Sequence, residues 1–273
     1  MYFSSKEMLD SGFCVYKAGD DGPMVFLIHG AGLGAMSWAP VVKLLKDHCR
    51  VITFDCRGHG STLLTEDDMS SENLVNDTKG IIEKLNPTGS PIVLIGHSMG
   101  GAIAIRTALA LPKNAVSALI VLDVVEGTAM AALPKMMSII QGRPSKFDTV
   151  ESALHWAVSS GVVRNRASAC ISVPQQFIEK DGCYVWRTDL RKTQPFWEGW
   201  FKNMSNLFLS VPCPKLLLVA DTDRLDTPLT TGQMMGKFQF SIIPNVGHLI
   251  QEDAPERTAT LIIQFLQRFR LTK

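Results

Sequence analysis

Apolar runs of strand length alternate along most of the chain with segments whose apolar residues recur at helical spacing. Met24 to Ile28, Arg50 to Phe54, Ile92 to Ile95, Ser117 to Leu122, Lys215 to Ala220 and Gln239 to Ile243 read as strands. Most are continuously apolar rather than alternating. That is the pattern of strands covered on both faces, and so of parallel sheet. Helical spacing runs near Trp38 to Leu45, from Ser71 to Leu85 with Pro87 as a stop, from Ala102 to Leu111, and from Ala254 to Arg270. The alternation predicts an α/β fold, a mainly parallel central sheet covered by helices.

The interval from Val124 to Ser210 breaks this rhythm, with no convincing buried strand. Asp148-Thr149-Val150-Glu151 resembles a helix-start box ahead of Ser152 to Ser159, and Gly161 is a plausible stop. A mostly helical cap is expected here, inserted at residues 124–210 between the two parts, 1–123 and 211–273, of one α/β core. The interval carries Trp156, Trp186, Trp197 and Trp200, expected mostly to pack a small core of its own.

Chemistry enters at Gly96-His97-Ser98-Met99-Gly100, a G-x-S-x-G sequence between a predicted strand and a predicted helix. In that setting it reads as a nucleophile elbow, a sharp turn presenting one serine at its tip. Residues two before and two after the serine must be small, or side chains would collide across the turn. Ser98 is the predicted nucleophile. A serine hydroxyl is a poor nucleophile at neutral pH and needs a base, which in turn needs an orienting acid. His248, after the last predicted strand, fits the expected late base. The acid is open. Asp123 ends the strand after the elbow, while Asp221, Asp223 and Asp226 follow a later strand. Hydrolases of this chain order commonly carry the acid at the later place, which tilts the sequence reading toward that cluster.

Backbone N–H groups must hold the oxyanion. Met99, after the nucleophile, supplies one, and Ala31 or Gly32 in His29-Gly30-Ala31-Gly32 supplies the other. That glycine loop matches neither phosphate-binding pattern. His29 and His97 are expected to shape turns, His59 to be a loop or pocket residue, and Asp55 to order the Arg57-Gly58 turn.

Composition narrows the field. The chain has 273 residues, 46% hydrophobic and 19% charged, with net charge +1 and no block of like charge. This is a globular balance that suggests neither a nucleic-acid nor a membrane partner. The cysteines are scattered without C-x-x-C and the histidines without H-x-x-x-H, so neither a metal site nor a cofactor is expected. With no apolar leader or membrane span, an intracellular protein, cytoplasmic or nuclear, is the expectation.

With these residues in view, the chain resembles the α/β-hydrolase superfamily over nearly its full length. Within it, the chain resembles the protein phosphatase methylesterase family. The narrower resemblance rests on Asp123 to Met130, Gly142-Arg143-Pro144, Trp197 to Phe201, Ser205 to Ser210 and Asp223-Arg224-Leu225-Asp226. It implies Ser98 as nucleophile, His248 as base and Asp123, rather than Asp223, as acid. It also implies as substrate the methyl ester on the C-terminal leucine of the type 2A protein phosphatase catalytic subunit. Arg164, Arg166 and Arg187 would be contacts in the cap. The chain departs from some members in a short N-terminus and in lacking an acidic insertion before Cys183, where Gln175 to Gly182 is expected simply to bridge.

Overall fold

A computed structural model describes residues 2–65, 67–220 and 224–273. Strands β1 (Ser5–Met8), β2 (Cys14–Ala18), β3 (Met24–Ile28), β4 (Arg50–Phe54), β5 (Ile92–His97) and β6 (Val116–Leu122) come first. They are interleaved with helices α1 (Ala39–Leu45), α2 (Ser71–Leu85) and α3 (Met99–Ala110). Between β6 and the next core strand lie α4 (Glu126–Gln141), β7 (Lys146–Phe147), α5 (Val150–Ser159), α6 (Arg166–Ser172), β8 (Phe177–Lys180), β9 (Cys183–Trp186), α7 (Trp197–Phe201) and α8 (Met204–Ser210). The chain closes with β10 (Lys215–Ala220), α9 (Thr227–Met234), β11 (Gln239–Ile243), α10 (Ile250–Asp253) and α11 (Pro255–Arg268).

The central sheet is eight-stranded, ordered β1-β2-β4-β3-β5-β6-β10-β11. From β4 to β11 all neighbours are parallel, and β1 and β2 add an antiparallel edge. Side chains alternate faces along each strand. Val25 and Leu27 pack with Trp38, Val42 and Leu45 near α1 and with Ile262 and Phe265 of α11. Phe26 and Ile28 pack with Leu74 and Ile81 of α2 and Ala102 and Ile105 of α3. Each fully buried Val, Ile, Leu or Phe contributes about 1.5–3 kcal/mol, so the sheet is held by both layers. Among the described residues no helix is long and apolar enough to cross a membrane.

The segment between β6 and β10 is mostly helical, as expected, and adds a small sheet. β7, β9 and β8 form a three-stranded antiparallel sheet. The stretch expected merely to bridge is instead a helical turn, strand β8 and a tight hairpin. Asp181 and Gly182, at φ 51° and 74°, form its turn. Asp-Gly between alternating apolar residues is a strong hairpin signal, and it was legible in the sequence. Across the hairpin Phe177 pairs with Trp186, with ring centres 4.5 Å apart.

The tryptophans divide. Trp156 and Trp186 pack with Phe147, Ala157 and Phe177 in a local core. Trp197 and Trp200 join the main core beside α2 and α3, and the Trp200 indole N–H donates to the Met69 carbonyl at 2.6 Å. The segments that carried the narrower resemblance meet here too. Glu126 accepts from the Asn203 and Ser205 N–H groups at 2.8 and 2.9 Å. Asp226 accepts from the Ser205 hydroxyl at 2.6 Å and from the Gly127 N–H at 3.2 Å.

The α6 helix docks on α10 through a buried carboxyl. The Ser172 hydroxyl donates to Glu252, whose other oxygen has no partner among the described residues. Burial pushes Glu252 up from 4.5 to about 8. Between those values the folded state keeps a proton that the unfolded chain has lost, so Glu252 erodes stability as pH rises through that window. Glu252→Gln keeps the shape without the titration. Urea melts across pH should show the variant gaining on wild type from pH 4.5 to 8, with no gain at pH 4.

Candidate active site

Ser98 stands at the turn from β5 into α3, with φ 54° and ψ −121°. A positive φ is costly for a serine and persists only where surroundings enforce it. The flanking glycines show how. A Cβ on Gly96 would overlap the Gly100 carbonyl, and one on Gly100 would overlap the Ile28 carbonyl. Met99 is the first residue of α3, so its N–H lies outside the helix's own ladder and at the positive end of the helix.

The glycine loop after β3 lies against this turn. A Cβ on Gly30 would come 3.2 Å from Ser98 Cβ. Two buried histidines shape the loop. His29 Nδ1–H donates to the Gly30 carbonyl at 2.8 Å, and its Nε2 accepts from the Cys56 N–H at 3.0 Å. Burial lowers its pKa to about 4. His59 Nδ1–H donates to the Arg57 carbonyl, leaving Nε2 to accept from the Gly32 N–H at 2.8 Å. The Gly32 N–H is therefore engaged, while no acceptor among the described residues takes the Ala31 N–H. His59, expected as a loop or pocket residue, thus separates the two oxyanion candidates.

His248 lies in the loop between β11 and α10. Its Nε2 is 3.0 Å from the Ser98 hydroxyl and its Nδ1 is 2.7 Å from Asp123 Oδ2. Asp123 follows directly on β6 at φ 49°, and its other oxygen accepts from the Ala220 N–H of β10 at 2.6 Å. Asp123 is 7% exposed and the His248 imidazole 56%, so the carboxylate is withheld from water while the imidazole stays open to solvent. His97 steadies this arrangement. Its Nε2 donates to the His248 carbonyl at 2.8 Å, and burial keeps its pKa well below the ordinary value.

The structure thus brings Ser98, His248 and Asp123 into one hydrogen-bonded line, with Met99 and Ala31 beside it. Of the later aspartates, Asp226 caps α9 by accepting from the Leu229 N–H at 3.1 Å. Asp221 and Asp223 lie outside the described residues. Arg187 is an internal strut, donating to the Gln175 and Phe177 carbonyls at 3.1 and 3.2 Å. Arg164 and Arg166 are exposed.

The sequence reading missed Gln175. It reaches from the cap into the core, where its amide donates to Asp55 at 2.8 and 2.9 Å and its oxygen accepts from the Met36 N–H at 2.9 Å. Asp55 does order its own turn, through the Ser61 N–H, and it also holds the glycine loop through the Ala35 N–H. An interior glutamine has no local sequence signal to mark it.

Comparison with known proteins places the chain in a family. The sequence matches the alpha/beta hydrolase family over residues 25–261. It is 38% identical to a protein of Mus musculus named protein phosphatase methylesterase 1, covering 100% of this chain and 84% of that one. It is 44% identical to a protein of the same name from Schizosaccharomyces pombe, covering 91% of this chain and 75% of that one. Among solved structures, E-2-(acetamidomethylene)succinate hydrolase superposes with a TM-score of 0.82 at 20% identity, over 96% of this chain and 99% of that one. That last likeness bears on the fold alone. The chain is a carboxylic ester hydrolase of the α/β-hydrolase family and belongs within it to the protein phosphatase methylesterases.

Proposed function

We propose that this chain hydrolyses the methyl ester on the C-terminal leucine of the type 2A protein phosphatase catalytic subunit, through an acyl-enzyme on Ser98. The Ser98–His248–Asp123 line carries the chemical part of this reading. The likeness to relatives named for a protein phosphatase, across the whole chain, supports the substrate.

His248 Nε2 takes the Ser98 proton as the hydroxyl oxygen attacks the ester carbonyl. Asp123 holds the imidazole by Nδ1–H and stabilises its cation. The carbonyl oxygen becomes an oxyanion held by the Met99 and Ala31 N–H groups, each worth about 3 kcal/mol in the transition state. Collapse expels methoxide, which takes the proton back from His248 and leaves as methanol. Water, deprotonated by His248, then attacks the acyl-enzyme and releases the free carboxylate and Ser98. The residues involved need no metal or cofactor for these steps.

The test is methanol release from purified, carboxyl-methylated phosphatase catalytic subunit, run beside a simple ester such as p-nitrophenyl acetate. Turnover of the methylated protein is the expected result. Turnover of the simple ester alone would leave a general small-ester hydrolase. Binding of the phosphatase without turnover of either would leave a scaffold.

A further inference from the structure

Gly142-Arg143-Pro144, one of the segments that set this chain apart in sequence, has no part in the chemistry above. It borders a cleft of about 250 Å³ between the end of α4 and the cap hairpin, lined in part by Gly32, Ile140, Arg143, Trp186, Asp189 and Arg191. Neither Ser98 nor His248 lines it. Gly32 does, so the cleft opens one residue from Ala31. Leu190 forms the wall there, since a Cβ on Gly32 would come 3.0 Å from its side chain.

The charges in this cleft do not cancel. Asp189 is gripped from both sides by Arg191, with contacts of 2.8 Å to each oxygen. That pair is neutral and satisfied. Arg143 lies over the Trp186 ring, 5.4 Å from its centre, and no carboxylate among the described residues pairs with it. The Trp186 indole N–H is held by the Pro144 carbonyl at 2.8 Å, which fixes the ring beneath the guanidinium. Burial alone acts on Arg143, pulling its pKa below the ordinary arginine value. A half-buried guanidinium braced on an aromatic ring is pre-organised for a carboxylate, since its planar donors match the two oxygens.

We propose that Arg143 forms an anion subsite that takes an acidic side chain of the substrate, a few residues before the esterified terminus. This rests on the proposed function, because it assigns the peptide to the acyl side of the ester. The leaving group there is only methanol, so everything recognisable about the substrate lies on the acyl side. A chain leaving Ser98 past Ala31 and Gly32 runs into the cleft. At about 3.3–3.6 Å per extended residue, a side chain within a few positions of the terminus reaches its interior. The occupant is a carboxylate, because the surplus charge in the cleft is a single guanidinium.

The experiment uses acetylated peptides ending in leucine methyl ester, alike except for Glu or Gln at one of the positions preceding the leucine. Wild type should show a KM lower by about tenfold for Glu at one position, the scale of one charge-assisted hydrogen bond. Arg143→Gln should lose that preference, and Arg143→Glu should reverse it. A preference that survives Arg143→Gln, or a wild type indifferent to charge at every position, would overturn the subsite. Fluorescence anisotropy of the same peptides on a Ser98→Ala background separates this failure from failure of the proposed function. Arg143-dependent binding of the Glu peptides without hydrolysis by wild type would sink the proposed activity and leave the subsite standing. Hydrolysis with no charge preference would do the reverse.

Discussion

Ser98→Ala is expected to lower kcat/KM for a methyl ester by about 10⁴–10⁶-fold, the range found when a serine nucleophile is removed from such a line of residues. Among the described residues, the Ser98 hydroxyl is the group that faces His248 Nε2, at 3.0 Å. Without it the imidazole can at best activate water in the wrong place. Alanine keeps the Cβ, so the strained backbone at φ 54° is no more strained than before. The variant should therefore fold, and a thermal melt matching wild type would show that the loss is chemical. A fluorophosphonate should label wild type at Ser98 and leave the variant unlabelled. Activity within tenfold of wild type, or labelling at another residue, would remove Ser98 from the mechanism.

The second large effect separates the two acids that the sequence leaves open. Asp123→Asn should lower kcat about 10⁴-fold with little change in KM. The amide keeps an acceptor for the Ala220 N–H, so the end of β6 should hold its shape. Its NH₂, however, would face Nδ1 of His248 as a donor. That forces the imidazole proton onto Nε2, where it can no longer receive the serine proton. Asp223→Asn, made in parallel, should stay within a few-fold of wild type. If Asp223→Asn were the crippling change and Asp123→Asn the mild one, the acid would move to the later loop. Steady-state kinetics on one ester, with both variants at one pH, decides between them.

Much of the scaffold was legible in local patterns. Helix α2 spans Ser71–Leu85 as its spacing predicts, because Ser70 caps it and Pro87 cannot continue it. Strands β3, β4 and β10 fall on their apolar runs for a related reason. A run apolar on both faces is stable only inside a sheet with both faces covered. Strands β1 and β2 escaped because they form the antiparallel edge. Ser5–Met8 is mostly exposed there and carries no apolar pattern. The cap hairpin escaped although Asp181-Gly182 marked it, because its strands are only half-buried and lack a continuous apolar run. Trp197 and Trp200 look like Trp156 and Trp186 in sequence, yet they pack on a different core. Which core a tryptophan joins depends on where its helix docks, and no neighbouring residue encodes that.

The sequence alone determined the alternation of strand and helix and the sharp turn that carries Ser98. These follow from spacing over a few residues, where backbone sterics and burial leave few choices. Only the tertiary structure decided the rest. Asp123 faces His248 across 125 positions of chain because β6, β10 and β11 lie side by side in the sheet. The Gly32 N–H is taken while the Ala31 N–H has no acceptor among the described residues, because His59 arrives from the turn after β4. In each case the deciding quantity is a distance of about 3 Å between groups remote in sequence, the length over which hydrogen bonds act, and only the packed fold sets it.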